Sequence, residues 1–114
     1  MDIRFATYNS DEPYYAVIFA NQMRDDPKGL YGETASRMVE LAEQQPGFLG
    51  FESTRDESGF GITVSYWKDR QSIKNWRDNV EHKVAQQMGR EQFYSAFSLR
   101  VAKVESTRFF ETWF

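Results

Sequence analysis

Four segments of this chain are rich in β-branched and aromatic residues, and two others carry apolar residues at helical spacing. The β-branched and aromatic segments are residues 14–21, 47–55, 60–67 and 92–105, and they predict four strands. The segments with helical spacing follow the first strand and the third strand, and they predict two helices. The predicted order along the chain is therefore β-α-β-β-α-β.

Capping and breaking residues set the bounds of the two predicted helices. In the first helix, apolar residues recur at i, i+3 and i+4 over residues 31–42, and Pro46-Gly47 ends it because proline cannot continue the hydrogen-bond ladder. Asp69 is a good N-cap for the second helix. The predicted apolar stripe of the second helix consists of Ile73, Trp76, Val80 and Val84.

This order is the ferredoxin-like split pattern, an α+β fold in which a four-stranded antiparallel sheet carries both helices on one face. Residues 14–105 are predicted to form this domain. A polar leader precedes it over residues 1–13, and an aromatic tail follows it over residues 106–114. A chain of 114 residues is expected to form a single domain.

The second face of the predicted sheet is also apolar. The first strand has apolar residues at its even and its odd positions, which is typical of a strand covered on both sides. Two helices cover only one face, and the other would expose a patch larger than a monomer normally tolerates. We therefore expect an obligate homodimer in which two sheets pack face to face. The aromatic tail is expected to contribute to the cover, either by crossing onto the partner or by closing over the helices.

Composition and charge exclude several classes of function. The net charge is −3 with scattered lysine and arginine, so the chain lacks the basic stripe that a nucleic-acid partner requires. It has no cysteine and one histidine, which excludes a thiolate zinc site and a multi-histidine metal site within one chain. No apolar run is long enough to span a bilayer, and no signal-peptide pattern is present. We expect a soluble, cytoplasmic protein without a membrane partner.

Several stretches of the sequence resemble a known family. They are residues 46–52 (PGFLGFE), residues 61–67 (GITVSYW), and a helix with Trp76 and His82 followed by Ala85-Gln86. The similarity extends through Gly89-Arg90 and Phe93-Tyr94 to Arg100-Val101. On these residues the chain resembles the antibiotic biosynthesis monooxygenase family of the dimeric α/β-barrel superfamily, over roughly residues 14–105.

The resemblance implies a cofactor-independent monooxygenase, using neither metal nor flavin, that acts on a small aromatic or quinol-type molecule. In such oxygenases a substrate held in an apolar cavity between helices and sheet becomes a carbanion and passes an electron to dioxygen. The site then needs a base, exclusion of water and donors for the developing oxyanion. The family also includes haem-degrading enzymes, which use an Asn, a Trp and a His. Asn21 and Trp76 match two of these positions, whereas Gln86 occupies the third.

His82 is the best candidate for the general base, because no other side-chain type in the chain has an ordinary pKa near neutrality. At about 100° per residue it lies roughly opposite the apolar stripe, which favours a surface position if the helix is straight. A break at Asp78-Asn79 would reset the helix phase. The sequence leaves both alternatives open.

Each of the other candidate site residues also has a structural alternative. Asn21 is expected to donate to a substrate oxygen or oxyanion, or else to form a turn. Trp76 packs in the core or lines a ligand pocket, and Trp67 packs or walls a cavity above the small residues of its strand face. Substrate contacts are also predicted for Tyr66, Tyr94 and Arg90. The alternative for the two tyrosines is that the ring packs and the hydroxyl group contacts solvent. The alternative for Arg90 is that it caps the C-terminus of the second helix.

Two other functions fit the same residues. A homodimeric module that sequesters a hydrophobic metabolite without turning it over agrees with the lack of any acid–base pair beyond one histidine. A haem-binding or haem-degrading protein agrees with Asn21 and Trp76 but not with Gln86. The sequence does not name the substrate.

Overall fold

The computed structural model describes residues 13–25 and 28–110. Residues 1–12 of the predicted leader and residues 111–114 of the aromatic tail lie outside the described residues. The elements in chain order are β1 (Tyr14–Met23), α1 (Leu30–Glu43), β2 (Phe48–Arg55), β3 (Phe60–Trp67), α2 (Arg70–Arg77), α3 (Val80–Met88), a π-helical turn (Gly89–Phe93) and β4 (Tyr94–Val104). This order confirms the predicted fold class, with the second helix divided in two. Within the described ranges, the structure has no helix with the length and apolar character of a membrane span.

The strands form one antiparallel sheet in the order β2-β3-β1-β4. Residues directly opposite each other in such a ladder share a face. In β1, Tyr15 lies opposite Trp67 of β3, and Asn21 lies opposite Gly61. Helices cover the Trp67 end of this face, since the Trp76 ring of α2 stacks on Trp67, whereas the β4 edge of the same face exposes Phe97, Leu99 and Val101. We call this side the helix face and the other side the open face.

A second N-cap divides the second predicted helix. Asp69 caps α2 as predicted, and the Asn79 side chain caps α3 by accepting a hydrogen bond from the backbone nitrogen of His82 at 3.0 Å. The backbone angles of Asn79 (φ −60°, ψ 130°) are not helical, so the helix phase is reset there. The predicted apolar stripe is therefore wrong beyond this break: Val80 is 80% exposed and Val84 is 58% exposed.

The connection from α1 to β2 requires glycine at position 47. Gly47 has a φ of 87°, and a Cβ there would lie 2.0 Å from the Ser72 Oγ. Its carbonyl oxygen accepts a hydrogen bond from the backbone nitrogen of Lys68 at 2.8 Å. This close approach joins the start of β2 to the start of α2 and holds α2 against the helix face.

The open face is covered only in part by described residues. Tyr14 and Ala16 are buried there, and the Tyr14 hydroxyl is hydrogen-bonded to Thr107 of the tail. Phe60 and Ile62 remain exposed on the same face. The tail therefore begins on the open face and not over the helices.

Candidate functional site

Three aromatic rings contact one another on the helix face. Trp67 is 0% exposed at the end of β3, and its indole N–H donates to the Ser65 Oγ at 2.9 Å. Trp76 of α2 stacks on Trp67 with ring centroids 6.1 Å apart. His82 of α3 stacks on Trp76 with centroids 3.9 Å apart and ring planes at 13°. We call Trp67, Trp76 and His82 the ring stack, and three predicted site residues meet in it.

The tautomer of His82 follows from its hydrogen bonds. Its Nδ1 lies 2.9 Å from the backbone oxygen of Trp76, which can only accept, so Nδ1 carries the proton. The amide nitrogen of Gln86 also lies 3.2 Å from Nδ1, but two donors cannot bond each other. We assign that amide to the Arg77 backbone oxygen, to which it donates at 3.1 Å. The Nε2 atom of His82 is therefore left with a lone pair that can accept a proton.

The environment of His82 keeps the imidazole neutral. Burial lowers the pKa of His82 below its ordinary value of 6.5, and the hydrogen bond to the Trp76 backbone opposes that shift. A neutral imidazole at pH 7 is the form that a general base requires. The break at Asn79 thus places a competent base against the ring of Trp76.

Asn21 carries a buried amide that has no hydrogen-bond partner in the described part of the chain. It is 2% exposed on the helix face of β1, and neither its Nδ2 nor its Oδ1 hydrogen-bonds to a described residue. An unpaired buried polar group of this kind costs roughly 1–3 kcal/mol of folding free energy. Such a group calls for an explanation, and a bound water or ligand is the usual one.

Asn21 belongs to a second cluster on the helix face. Asn21 of β1 and Arg55 of β2 flank Gly61 of β3 in the same row of the sheet. The Nη2 of Arg55 donates to the Tyr31 hydroxyl at 2.9 Å, and the Tyr94 hydroxyl donates to the same oxygen at 3.5 Å. Burial raises the pKa of Tyr94, so its hydroxyl stays protonated at pH 7. We call Asn21, Arg55, Tyr31 and Tyr94 the amide–arginine cluster.

The two clusters lie toward opposite ends of the β1–β3 ladder. Asn21 pairs with Gly61, whereas Trp67 pairs with Tyr15, and the six intervening steps of β1 span about 20 Å. The β3 floor between these ends carries the hydroxyl residues Thr63 and Ser65 on the helix face.

Two predicted site residues lie away from both clusters. Tyr66 projects from the open face, where its hydroxyl donates to Glu52 and its ring packs against Tyr14. Arg90 lies exposed in the π-helical turn. Tyr66 is separated from its neighbour Trp67 by the sheet itself, because successive strand residues point to opposite faces. The structure therefore does not bring Tyr66 together with Asn21, Trp67 and His82.

Arg55 and Tyr31 are not among the site residues that the sequence pattern predicts. The signal for Arg55 was a charged residue at a helix-face position of a strand, directly opposite a glycine. Glycine at position 61 leaves room for the guanidinium, because a Cβ there would lie 2.8 Å from the Arg55 Cζ. Tyr31 offered no distinct signal, since it also fits the apolar side of α1.

A surface groove of about 430 Å³ lies between α1 and α3. The guanidinium of Arg37 crosses it to the carboxylate of Glu81, with nitrogen–oxygen distances of 2.7 and 3.1 Å. None of the residues that line the groove belongs to the ring stack or to the amide–arginine cluster. We therefore assign the candidate site to the helix face of the sheet and not to this groove.

The described residues do not fit a haem site. Position 86 carries a glutamine whose amide is bonded to the protein backbone, where the resemblance calls for an imidazole ligand. His82 uses Nδ1 for the Trp76 carbonyl, and one of its ring faces is stacked on Trp76. Within the part of the chain that the structure describes, no group of three or more His, Asp and Glu side chains is placed to hold a metal ion.

Known proteins share both the sequence pattern and the fold. The model of the antibiotic biosynthesis monooxygenase family matches residues 14–88. The chain is 49% identical over 107 residues to the uncharacterized protein YqjZ of Bacillus subtilis (strain 168), covering 94% of this chain and 93% of YqjZ. It is 28% identical over 97 residues to the jasmonate monooxygenase ABM of Pyricularia oryzae, covering 82% of this chain but only 44% of that protein.

Solved structures agree with this assignment at the level of the fold. SnoaB, a cofactor-independent oxygenase from Streptomyces nogalater, superposes with a TM-score of 0.71 at 11% identity, covering 82% of this chain and 95% of SnoaB. Rv0793 from Mycobacterium tuberculosis gives a TM-score of 0.65 at 14% identity, covering 88% of this chain and 98% of that one. The protein is thus a ferredoxin-like α+β domain with an aromatic and amide-bearing helix face. It belongs to the antibiotic biosynthesis monooxygenase family, as the match over residues 14–88 shows.

The protonation state of His82 can be measured directly, because the chain contains one histidine. We predict that its C2–H resonance titrates with a midpoint below 6.5 in the folded protein, since burial disfavours the imidazolium. The same protein in concentrated urea should titrate near the ordinary value of about 6.5. The unfolded chain then takes up this proton first as the pH falls, so His82 stabilises the fold above about pH 6.5 and loses that contribution below it. A folded-state midpoint at or above 6.5 would contradict the geometry described for His82.

Proposed function

We propose that this protein is a cofactor-independent monooxygenase-like enzyme that acts on a small aromatic or quinol-type molecule. The observation that carries the proposal is the buried Asn21 amide, unpartnered among the described residues, on the same face as the neutral His82. Support also comes from the similarity to proteins named as a jasmonate monooxygenase and a cofactor-independent oxygenase. A cytoplasmic location remains a prediction.

The side chains of the helix face take the roles that the reaction needs. His82 accepts the substrate proton at Nε2, and the backbone of Trp76 holds its Nδ1 proton. Asn21, whose amide has no competing partner among the described residues, donates to a substrate oxygen at the polar end of the helix face. Trp67 and Trp76 hold the imidazole of His82 in place, since the three rings stack one on the next.

The proposed chemistry needs no electrons from outside the substrate. Loss of a proton gives a carbanion that passes one electron to dioxygen, and the two radicals combine to form a peroxide. Loss of water from the peroxide leaves a carbonyl group. In an anthrone, a CH₂ group and O₂ thus become C=O and H₂O, and a hydroquinone and O₂ become a hydroxyquinone and H₂O. Exclusion of water from the site protects the anion before it reacts.

Oxygen uptake with panels of anthrones and hydroquinones tests this function. We expect consumption that depends on the protein and falls by about 10²-fold in kcat for His82→Ala, the lower end of the range for a general base. Lys83→Gln is the matched control, since Lys83 is the exposed neighbour of His82 on α3 and should leave the rate unchanged.

Two outcomes would contradict this assignment. A rate unaffected by His82→Ala removes His82 from the mechanism. A molecule that raises the melting temperature of the protein without any oxygen uptake identifies a binding module and not an enzyme.

The proposal includes a homodimer formed through the open face. Phe60 and Ile62 are exposed there, beyond what the tail covers. A second copy of the sheet is the simplest cover for such a surface. Two identical faces then meet across a twofold axis.

Sedimentation equilibrium at low micromolar concentration tests the dimer. We expect a species of twice the 13.4 kDa chain mass, which Ile62→Glu shifts toward the monomer because it places charges in the interface. Val80→Glu is the control, since Val80 is exposed on α3 and away from the open face. A folded wild-type protein that sediments as a single 13.4 kDa species would rule out the dimer.

A further inference from the structure

Arg55 is a half-buried cation without a counter-ion among the residues that the structure describes. Its Nη1 donates to the backbone oxygen of Gly59 at 2.6 Å, its Nη2 donates to the Tyr31 hydroxyl at 2.9 Å, and its Cζ lies 5.4 Å from the centroid of the Tyr31 ring. All of these partners are neutral. None of the ion pairs among the described residues includes Arg55, whereas Arg37 is paired with Glu81. A guanidinium removed from water normally gains a carboxylate or phosphate partner.

The sheet register brings this cation toward the Asn21 amide. Asn21 and Arg55 lie on the two sides of Gly61, and all three share the helix face. The Arg55 Cζ would lie 2.8 Å from a Cβ at position 61, so the guanidinium lies over the glycine. Paired residues of adjacent strands hold their Cβ atoms about 5 Å apart, which puts the Arg55 Cζ within about 8 Å of the Asn21 Cβ. One carboxylate is large enough to bridge that gap.

The groups around this gap are donors with unused capacity. Arg55 has five N–H groups, and two of them account for its hydrogen bonds within the described chain. The Nδ2 of Asn21 adds two more that have no partner there. No carboxylate of the described residues pairs with this cation. Converging donors and a positive charge define a site for an anionic oxygen group.

We propose that Arg55 and Asn21 bind the carboxylate of an acidic aromatic or quinol-type ligand, and that this contact determines which molecules the helix face accepts. The carboxylate lies between the Arg55 guanidinium and the Asn21 amide, and the Oδ1 of Asn21 accepts from a hydroxyl of the same ligand. The ring then extends along the Thr63 and Ser65 floor toward the ring stack. The aromatic part of the ligand is inferred from the proposed function. The anion site is inferred from the geometry of Arg55 and Asn21 alone.

Anaerobic calorimetry with two matched probes tests the anion site without any turnover. The probes are 2,5-dihydroxybenzoate and 1,4-dihydroxybenzene, which differ by one carboxylate. We expect the acid to bind at least 10-fold more tightly, because hydrogen bonds to a charged group contribute about 10- to 100-fold in affinity. Arg55→Gln should remove this preference while it changes the affinity for the neutral probe less than twofold. Arg70→Gln is the control, since Arg70 also lies over a tyrosine ring, that of Tyr15, at the other end of β1.

A thermal-unfolding cycle keeps the test decisive if Arg55→Gln folds poorly. Asn21→Asp places a carboxylate where the ligand group is proposed to lie, so Arg55 should pair with it and the melting temperature should stay close to that of the wild type. The same variant should lose its preference for the acidic probe. Asn21→Asp combined with Arg55→Gln should then melt well below the temperature expected from the two single changes.

Several results would overturn the anion site. Equal affinity for the two probes, or an acid preference that survives Arg55→Gln, excludes Arg55 from ligand binding. Additive effects in the unfolding cycle show that Asn21 and Arg55 do not share a space. Absence of oxygen uptake together with Arg55-dependent binding of the acid contradicts the monooxygenase proposal alone, so the two failures are distinguishable.

Discussion

The register of the antiparallel ladder is the constraint on which every part of the candidate site depends. The pairing of Gly61 with Asn21 on one side and Arg55 on the other puts an amide and a guanidinium over the same patch of backbone. Side chains alternate between faces, so a slip of one residue would move Asn21 or Arg55 to the open face. Burial opposes such a slip, because Trp67 is fully covered by the helices on the helix face. The packing that stabilises the sheet therefore also assembles the polar end of the site.

A local hydrogen bond decides the other end of the site. The Asn79 side chain accepts from the backbone nitrogen of His82 and starts a new helix there. A cap of this type contributes about 1 kcal/mol. It exposes Val80 and Val84 and turns the imidazole onto Trp76, whose backbone oxygen then selects the Nδ1–H tautomer. A modest capping interaction thus determines whether the protein has a neutral, buried base.

The fold and part of the site were predictable from the sequence for physical reasons. Strands can be recognised by their β-branched and aromatic composition and by the turn residues that bound them. The order β-α-β-β-α-β and the shared face of Trp67 and Gly61 were therefore predictable from the sequence. The orientation of His82 could not be predicted, because the sequence does not show whether Asn79 caps a new helix or continues the old one. Tertiary packing decides between the two. Arg55 was missed for a related reason. A charged residue at the end of a strand usually faces solvent, and only the pairing with a glycine on the next strand shows that it turns inward.

We propose that a ligand supplies the hydrogen bonds that the Asn21 amide lacks among the described residues. Urea unfolding of Asn21→Leu, at fixed protein concentration, tests this most directly, because leucine has nearly the same shape and no polar atoms. Relief of an unsatisfied amide should leave the free energy of unfolding unchanged or raise it by about 1–3 kcal/mol. A loss of about 2 kcal/mol or more would mean that the amide is already satisfied in the folded protein, and the account of this site would be wrong.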